Sequence, residues 1–386
     1  MKNVLVAMDS MKGCLSSYYA SLYVAGGLEE THPDIKAVFL PVSDGGEGMV
    51  EMVANGLRSG DYCHCNVIGP LGEEIESKWY RYKNSAGWHA SMEFAAAAGL
   101  TLIEENRRNP LHASSYGVGQ MINDALKSGI YDIMLGLGGS ATVDAGLGAL
   151  QAMGLRLIDT EGNILPRPFT GRRLSEVADI EFTGPFKERI AKLKLTLLCD
   201  VDAPFTGAHG APRVFGPQKG ADEEEVKILE EGMEHVRKLI IEKTGIDLNQ
   251  VPGSGAAGGA GGGLFALAGA HIQKGASTLL DIIGFDNELA GIDLIITGEG
   301  SSDRQTLMGK IPFEILQRGK KRNIPVLLVA GRVSDHEELL EAGFHRLICI
   351  NSPDIVWRSN TIGKDPLDPA VASDRLCSIF KAYDFT

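Results

Sequence analysis

Several short apolar runs share one grammar: each ends in glycine, serine or an acid and is followed by a helix-compatible stretch. Val4-Leu5-Val6-Ala7-Met8 leads into Asp9-Ser10-Met11-Lys12-Gly13, and residues 37–42 lead into Ser43-Asp44-Gly45-Gly46-Glu47-Gly48. Residues 133–137 lead into Gly138-Gly139-Ser140-Ala141-Thr142, and residues 195–199 into Asp200-Val201-Asp202. Residues 294–296 lead into Thr297-Gly298-Glu299-Gly300, and residues 326–330 into Gly331-Arg332. The runs are continuous in Val, Ile and Leu rather than alternating, as in parallel strands covered on both faces. Helical periodicity at 18–30 and 221–244 completes an α/β reading. In open α/β sheets ligands bind beyond the carboxyl ends of the strands, and the polar, glycine-rich residues fall there.

The grammar changes near Tyr62. Residues 63–67, 74–82 and 88–94 read as more polar strands, joined at Gly69-Pro70-Leu71-Gly72 and Asn84-Ser85-Ala86-Gly87. Regular βα spacing returns near Asp293. The pattern predicts a discontinuous parallel-sheet domain of residues 1–61 and 292–386, interrupted by a second α/β domain at 62–291. A chain of 386 residues agrees with two domains at roughly 100–200 residues each. A close-packed helix is expected within the Gly/Ala-rich stretch 251–273, and a last helix at 369–380.

Charge narrows the partners. Lys and Arg number 37 against 50 Asp and Glu, a net −13, which disfavours a broad nucleic-acid or anionic-membrane footprint. A small anion remains allowed, because local lysines and N–H groups can overrule the mean field. The apolar run at 4–8 is too short for a signal peptide. The 6 cysteines form no C-x-x-C pair, so reduced thiols in a cytoplasm are expected. Cys63-His64-Cys65 reads as ordinary strand, because no second ligand pair follows at zinc spacing. A homodimer is compatible with the sequence, which does not fix the assembly.

Gly253-Ser254-Gly255-Ala256-Ala257-Gly258 matches G-x-G-x-x-G, but loop-like residues precede it where a dinucleotide fingerprint needs a strand. Gly253 and Gly255 either serve tight packing or line a nucleotide pocket. The turn Gly138, Gly139, Ser140, Ala141, Thr142 is either a phosphate cradle or a plain βα turn. Walker A, H-E-x-x-H and G-x-S-x-G are absent. Asp9, Asp44, Glu47, Asp200, Asp202, Glu299 and Asp303 all follow strand ends, accompanied by Lys12, Lys219, Arg304 and Lys310. Converging acids repel unless cations sit among them, and Mg²⁺ bridging to phosphates is the usual solution. Carboxylates, lysines and glycine-rich turns together describe phosphoryl transfer better than hydride or acyl transfer.

At these residues the chain resembles the bacterial glycerate kinase family. Asp9-Ser10-Met11-Lys12-Gly13 is similar to its D-S-F-K-G, and Asp44-Gly45-Gly46-Glu47-Gly48 to its D-G-G-E-G. Ser115-Tyr116-Gly117-Val118-Gly119, the turn ending at Thr142, and Phe215-Gly216-Pro217-Gln218-Lys219-Gly220 resemble further motifs in the same order, as does Asp303-Arg304-Gln305-Thr306. The resemblance runs from residue 1 to about 331. It implies ATP-dependent phosphorylation of D-glycerate to 2-phosphoglycerate, a flavodoxin-like domain interrupted by a second α/β domain, and an active site in the cleft between them. The departures are local. Val143-Asp144-Ala145 stands for an N-D-G-like continuation, and Ser301-Ser302 for a basic-then-apolar pair, whose cation Lys310 or Arg304 then supplies.

On that resemblance, Lys12 and Ser10 are expected to hold the glycerate carboxylate, with Asp303 and Thr306 on its hydroxyls. Asp200 orients or deprotonates the attacking hydroxyl, a role acids play in kinases. Gly138, Gly139, Ser140, Thr142 and Lys219 cradle the ATP phosphates, and Asp44 or Glu47 holds Mg²⁺. Alternatives within the class are a 3-phosphoglycerate product or a related small hydroxy acid. Outside it are an NAD-dependent hydroxyacid dehydrogenase, resting on residues 253–258, and a non-catalytic metabolite-binding protein.

Overall fold

The computed structural model describes residues 2–11 and 14–351. The expected contact of Lys12 and the expected helix at 369–380 lie outside them. In chain order the strands are β1 Lys2–Met8, β2 Ile35–Phe39, β3 Asp61–Ile68, β4 Glu74–Asn84, β5 Gly87–Glu93, β6 Asp132–Gly136, β7 Arg156–Ile158, β8 Asp179–Glu181, β9 Lys194–Leu198, β10 His271–Gln273, β11 Leu294–Ser302, β12 Val326–Val333 and β13 Arg346–Cys349.

The chain divides into two compact units. The smaller takes in the described residues up to Asp44, Glu51–Gly56, and those from Gly275 on; the larger takes in Gly45–Val50 and Leu57–Lys274. The smaller unit holds a five-stranded sheet in the order β13-β12-β11-β1-β2, parallel throughout. Counted within the unit this is the flavodoxin-like order 2-1-3-4-5, whose switch point lies between β1 and β11. The apolar runs explain the layering. Val4, Val6 and Met8 of β1, Ile296 of β11 and Leu327 and Val329 of β12 pack with Ala20, Val24 and Leu28 of the helix Ser17–Thr31. Those helical residues recur every four positions and form one stripe. The helix Ile311–Lys321 packs on β11 and β12 through buried Ile311, Ile315 and Leu316.

The helix Gly275–Ile282 belongs to this unit for steric and ionic reasons. A Cβ on Gly56 would come within 2.6 Å of Ile283. Buried Arg318 donates to Asp281 Oδ1 at 2.6 Å and to the Ser277 carbonyl at 3.2 Å, with Asp286 at 3.3 Å.

The larger unit holds the sheet β10-β9-β6-β5-β4-β3, with β3, β4 and β5 antiparallel and the rest parallel, and a small β7-β8 ribbon. Trp79 of β4 is fully buried, and its indole N–H donates to Asp124 Oδ2 at 3.0 Å. Cys63 and Cys65 lie half-buried against the core, while His64 pairs with Glu76. The long helix Glu223–Thr244 starts at an Asp222 capping box with Glu225 and ends at left-handed Gly245. Within the stretch 251–273, helix is confined to Ala260–Ala268, and β10 follows. Gly253, Gly258 and Gly259 take φ of +78°, +65° and +87°, and that left-handed backbone cannot continue an α-helix.

Candidate functional site

In the larger unit the chain leaves β6 at Gly136 and turns through 138–142. Two glycine-rich segments meet here. A Cβ on Gly136 would lie 2.2 Å from the Gly45 carbonyl oxygen, and one on Gly138 would lie 2.4 Å from Gly46 Cα. The paired glycines of the two motifs therefore serve close backbone approach as well as any ligand. The turn is tied to its neighbours by Ala141 N–H to the Ala98 carbonyl at 2.8 Å and Leu100 N–H to the Gly139 carbonyl at 2.8 Å.

Lys219 reaches this turn from the short 3-10 helix Pro217–Lys219. Its side chain is buried, and Nζ donates to Ser140 Oγ at 2.9 Å and to the Thr142 carbonyl at 2.8 Å. Burial pushes the ammonium from an ordinary lysine value of 10.5 down to about 7, against an upward pull from Asp144. Asp144 is itself fully buried. Loss of solvent raises its pKa, and hydrogen bonds from the Ser115 hydroxyl, the Ser115 N–H and the N–H groups of Gly146 and Gly148 hold it partly back. The Ser115 contacts measure 2.7 and 2.8 Å. Both shifts have one cause, exclusion of water from a polar cluster within the core. Thr142 Oγ1 is buried and has no hydrogen-bond partner among the described residues. A buried hydroxyl left unsatisfied in a native fold calls for an explanation, and a ligand oxygen is one.

Asp200 follows β9 and is half-buried, and Asp202 is exposed. Gly253 and Gly255 back this loop. A Cβ on Gly253 would lie 3.3 Å from the Val201 carbonyl oxygen, and one on Gly255 would lie 2.2 Å from that of Pro204. Gly255 N–H donates to the Ala203 carbonyl at 3.0 Å.

In the smaller unit the acids after β1 and within β11 frame the switch point. Asp9 N–H donates to the Gly298 carbonyl at 2.8 Å, and Ser10 N–H donates to Asp9 Oδ1 at 2.6 Å. Buried Glu299 organises the β11 end. Its Oε1 accepts from Thr306 Oγ1 at 2.6 Å and Ser302 Oγ at 3.2 Å, and its Oε2 accepts from Lys310 Nζ at 3.1 Å. Asp303 caps the 3-10 helix Arg304–Met308 by accepting from Gln305 N–H, while its own N–H donates to Thr306 Oγ1. Arg304 donates to Glu338 at 3.0 Å, away from this cluster.

The structure thus joins Ser140, Thr142 and Lys219 in one cluster, Thr306, Lys310 and Asp303 in another, and Gly253 and Gly255 with the Asp200 loop. Ser10 lies at the β1 end, and Lys12 lies outside the described residues. Asp44 and Glu47 fall in different units, half-buried and exposed respectively. Among the described residues no group of three or more His, Cys, Asp or Glu is disposed to hold a metal. Magnesium takes only one or two protein carboxylates beside substrate phosphates, so the oxygen donors of Asp44 and Glu47 suit it chemically. Ser115 and Asp144 are not among the site residues expected from sequence, and Glu299 is read there only as one of the strand-end acids, with no role of its own. Their signals are present there, in the Ser115-Tyr116-Gly117 motif, the acid just past the 138–142 turn, and the acid closing the β11 run.

The Glycerate kinase family profile matches residues 4–359. The chain is 36% identical over 360 residues to glycerate 2-kinase of Escherichia coli (strain K12), covering 92% of this chain and 93% of that protein. It is 37% identical over 346 residues to glycerate kinase of Bacillus cereus, covering 88% and 89%. A solved structure from Salmonella typhimurium LT2, assigned as glycerate kinase 2, matches with a TM-score of 0.76 at 33% identity, covering 99% of this chain and 96% of that one.

Proposed function

The chain belongs to the glycerate kinase family, phosphotransferases with an alcohol group as acceptor, and from that premise we propose that it phosphorylates D-glycerate at the 2-hydroxyl, giving 2-phosphoglycerate. The observation that carries most weight is the buried Lys219 fixed to the strand-end turn at Ser140 and Thr142, with the unsatisfied Thr142 hydroxyl beside it. A rigid glycine-rich turn with a lysine and hydroxyls suits ATP phosphates, because catalysis of phosphoryl transfer is mostly positioning and charge stabilisation.

In this reading Ser140 and Thr142 contact the phosphates, and Lys219 acts mainly by holding the turn. Asp200 takes the proton of the attacking hydroxyl as that oxygen bonds to the γ-phosphorus and the bond to the bridging oxygen of ADP breaks. Asp44 or Glu47 would hold Mg²⁺, which when bound neutralises charge on the phosphate oxygens. Ser10, Thr306 and Lys310 contact the acid substrate, Thr306 and Lys310 being oriented by Glu299. The cytoplasm suits this chemistry, since ATP is available there and the cysteines at 63, 65 and 349 are free thiols.

Phosphorus NMR of the product from MgATP and D-glycerate tests the proposal. A 2-phosphoglycerate signal growing with ADP is expected. A 3-phosphoglycerate signal would move the acceptor to the other hydroxyl, and absence of any phosphoglycerate would remove glycerate as substrate.

A further inference from the structure

An acid substrate needs a cation, and the cations at the carboxyl ends of the smaller unit's sheet are unequally committed. Lys310 is bonded to Glu299. Arg304 is bonded to Glu338, and its N–H to Asp335. Arg332 near the end of β12 is exposed and makes no hydrogen bond or ion pair among the described residues.

Its neighbour is informative. In the parallel pairing of β11 with β12, Ser301 stands opposite Arg332, and Glu299 opposite Ala330. Side chains alternate along a strand, so Glu299, Ser301, Ala330 and Arg332 share one face of the sheet. Arg332 therefore stands beside a small hydroxyl residue, on the face where Glu299 gathers Thr306 and Lys310. Both Ser301 and Arg332 are exposed, while β12 is buried from Val326 to Ala330. The guanidinium is thus carried just past the covered part of the sheet, where an open α/β sheet takes its ligand.

We propose that Arg332 binds the carboxylate of the acid substrate, with the Ser301 hydroxyl as a second donor. The inference rests on the reading of the chain as a kinase of a small hydroxy acid and names the group that selects the acid. A guanidinium suits the task because its planar fork donates two parallel N–H bonds to a carboxylate. The cation is contributed by β12, and Ser301 on β11 leaves room for it.

The test is steady-state kinetics of the full chain with MgATP and D-glycerate. Arg332→Ala should raise KM for glycerate about tenfold or more while KM for ATP stays unchanged and kcat moves little, the signature of lost ground-state binding. Arg332→Lys should fall between, because a point charge cannot fork. The double variant Ser301→Arg/Arg332→Ser returns the guanidinium to the same face one strand away, and should recover most of the lost affinity. Turnover of glycerol, which has the hydroxyls but no carboxylate, should be no worse in Arg332→Ala than in the wild type. An unmoved glycerate KM in Arg332→Ala, in a wild type that turns over glycerate, overturns the arginine alone. A wild type with no glycerate turnover overturns the kinase reading instead.

Discussion

Lys219 Nζ lies 2.8 Å from the Thr142 carbonyl oxygen, inside a cluster closed to water. The bond links two segments far apart in the chain, the Pro217–Lys219 helix and the turn after β6. Replacing Lys219 by Met keeps the stem and removes the donor. It leaves the Thr142 carbonyl short of a donor, a loss of about 1–3 kcal/mol for a buried acceptor. Because it also removes a buried charge, folding should be retained and the midpoint of thermal unfolding nearly unchanged. KM for ATP should rise at least ~tenfold if the turn holds the phosphates. An unchanged KM for ATP separates this lysine from nucleotide binding.

The depressed Lys219 pKa makes stability depend on pH with a definite sign. In the folded state the ammonium titrates at about 7, against 10.5 when exposed. Between those values the unfolded chain binds the extra proton, so stability contributed at this site rises with pH, by up to about 1.4 kcal/mol per pH unit, and is flat below 7. Asp144 acts with the opposite sign, its raised pKa making stability fall as pH rises from 3.8 through the folded value. Urea unfolding between pH 6 and 9 should show the rise in wild type but not in Lys219→Met. Parallel profiles for the two proteins would place the proton elsewhere.

Gly258 is a steric hinge for the same turn. It adopts φ of +65°, and a Cβ there would lie 1.9 Å from the Thr142 carbonyl oxygen. Left-handed backbone alone costs a non-glycine residue about 1–2 kcal/mol, and the clash adds to it. Gly258→Ala should therefore lower the unfolding midpoint by about 4–8 °C. Gly162, at φ of +84° with nothing within 4 Å of where a Cβ would stand, serves as control, and Gly162→Ala should lose less.

Glu299 holds Thr306 and Lys310 through its two oxygens. Glu299→Gln keeps the shape and a carbonyl acceptor but removes the charge facing Lys310. Catalytic efficiency with glycerate should fall about tenfold or more, with KM for ATP unaffected. Lys310 is partly exposed, so the stability loss should stay below the roughly 3–5 kcal/mol of a fully buried broken pair. Equal changes for glycerate and ATP would argue for general loosening of the fold.

Asp200→Asn tests the proton acceptor. General base catalysis contributes about 10²–10⁴-fold, so kcat should drop by that order with both KM values within a few-fold. A mutant with near-normal kcat would move the base role to another acid.

The flavodoxin-like sheet is legible in the sequence where its strands carry continuous apolar runs, as β1, β11 and β12 do, and where the helix Ser17–Thr31 repeats its apolar residues on one stripe, while β13 is not legible there. Val4, Val6 and Met8 declare a buried strand with no knowledge of their partners. The stretch 251–273 reads as helix from its composition, while its conformation up to Gly259 is set by left-handed glycines, which composition does not reveal. The turn at 138–142 is visible as glycine and hydroxyls, but a phosphate cradle and a plain turn present the same residues.

By itself the sequence determined the longer strands, the interrupted sheet and the residue types at the strand ends, because these depend on local burial and backbone freedom, but not the short strands β7, β8, β10 and β13. Only the tertiary structure decided that Lys219 is buried beside Ser140 and Thr142, that Asp144 is locked by Ser115, and that Arg332 stands across from Ser301. Those relationships depend on register and on exclusion of water between segments distant in the chain, and neither quantity is written in the order of residues within any one segment.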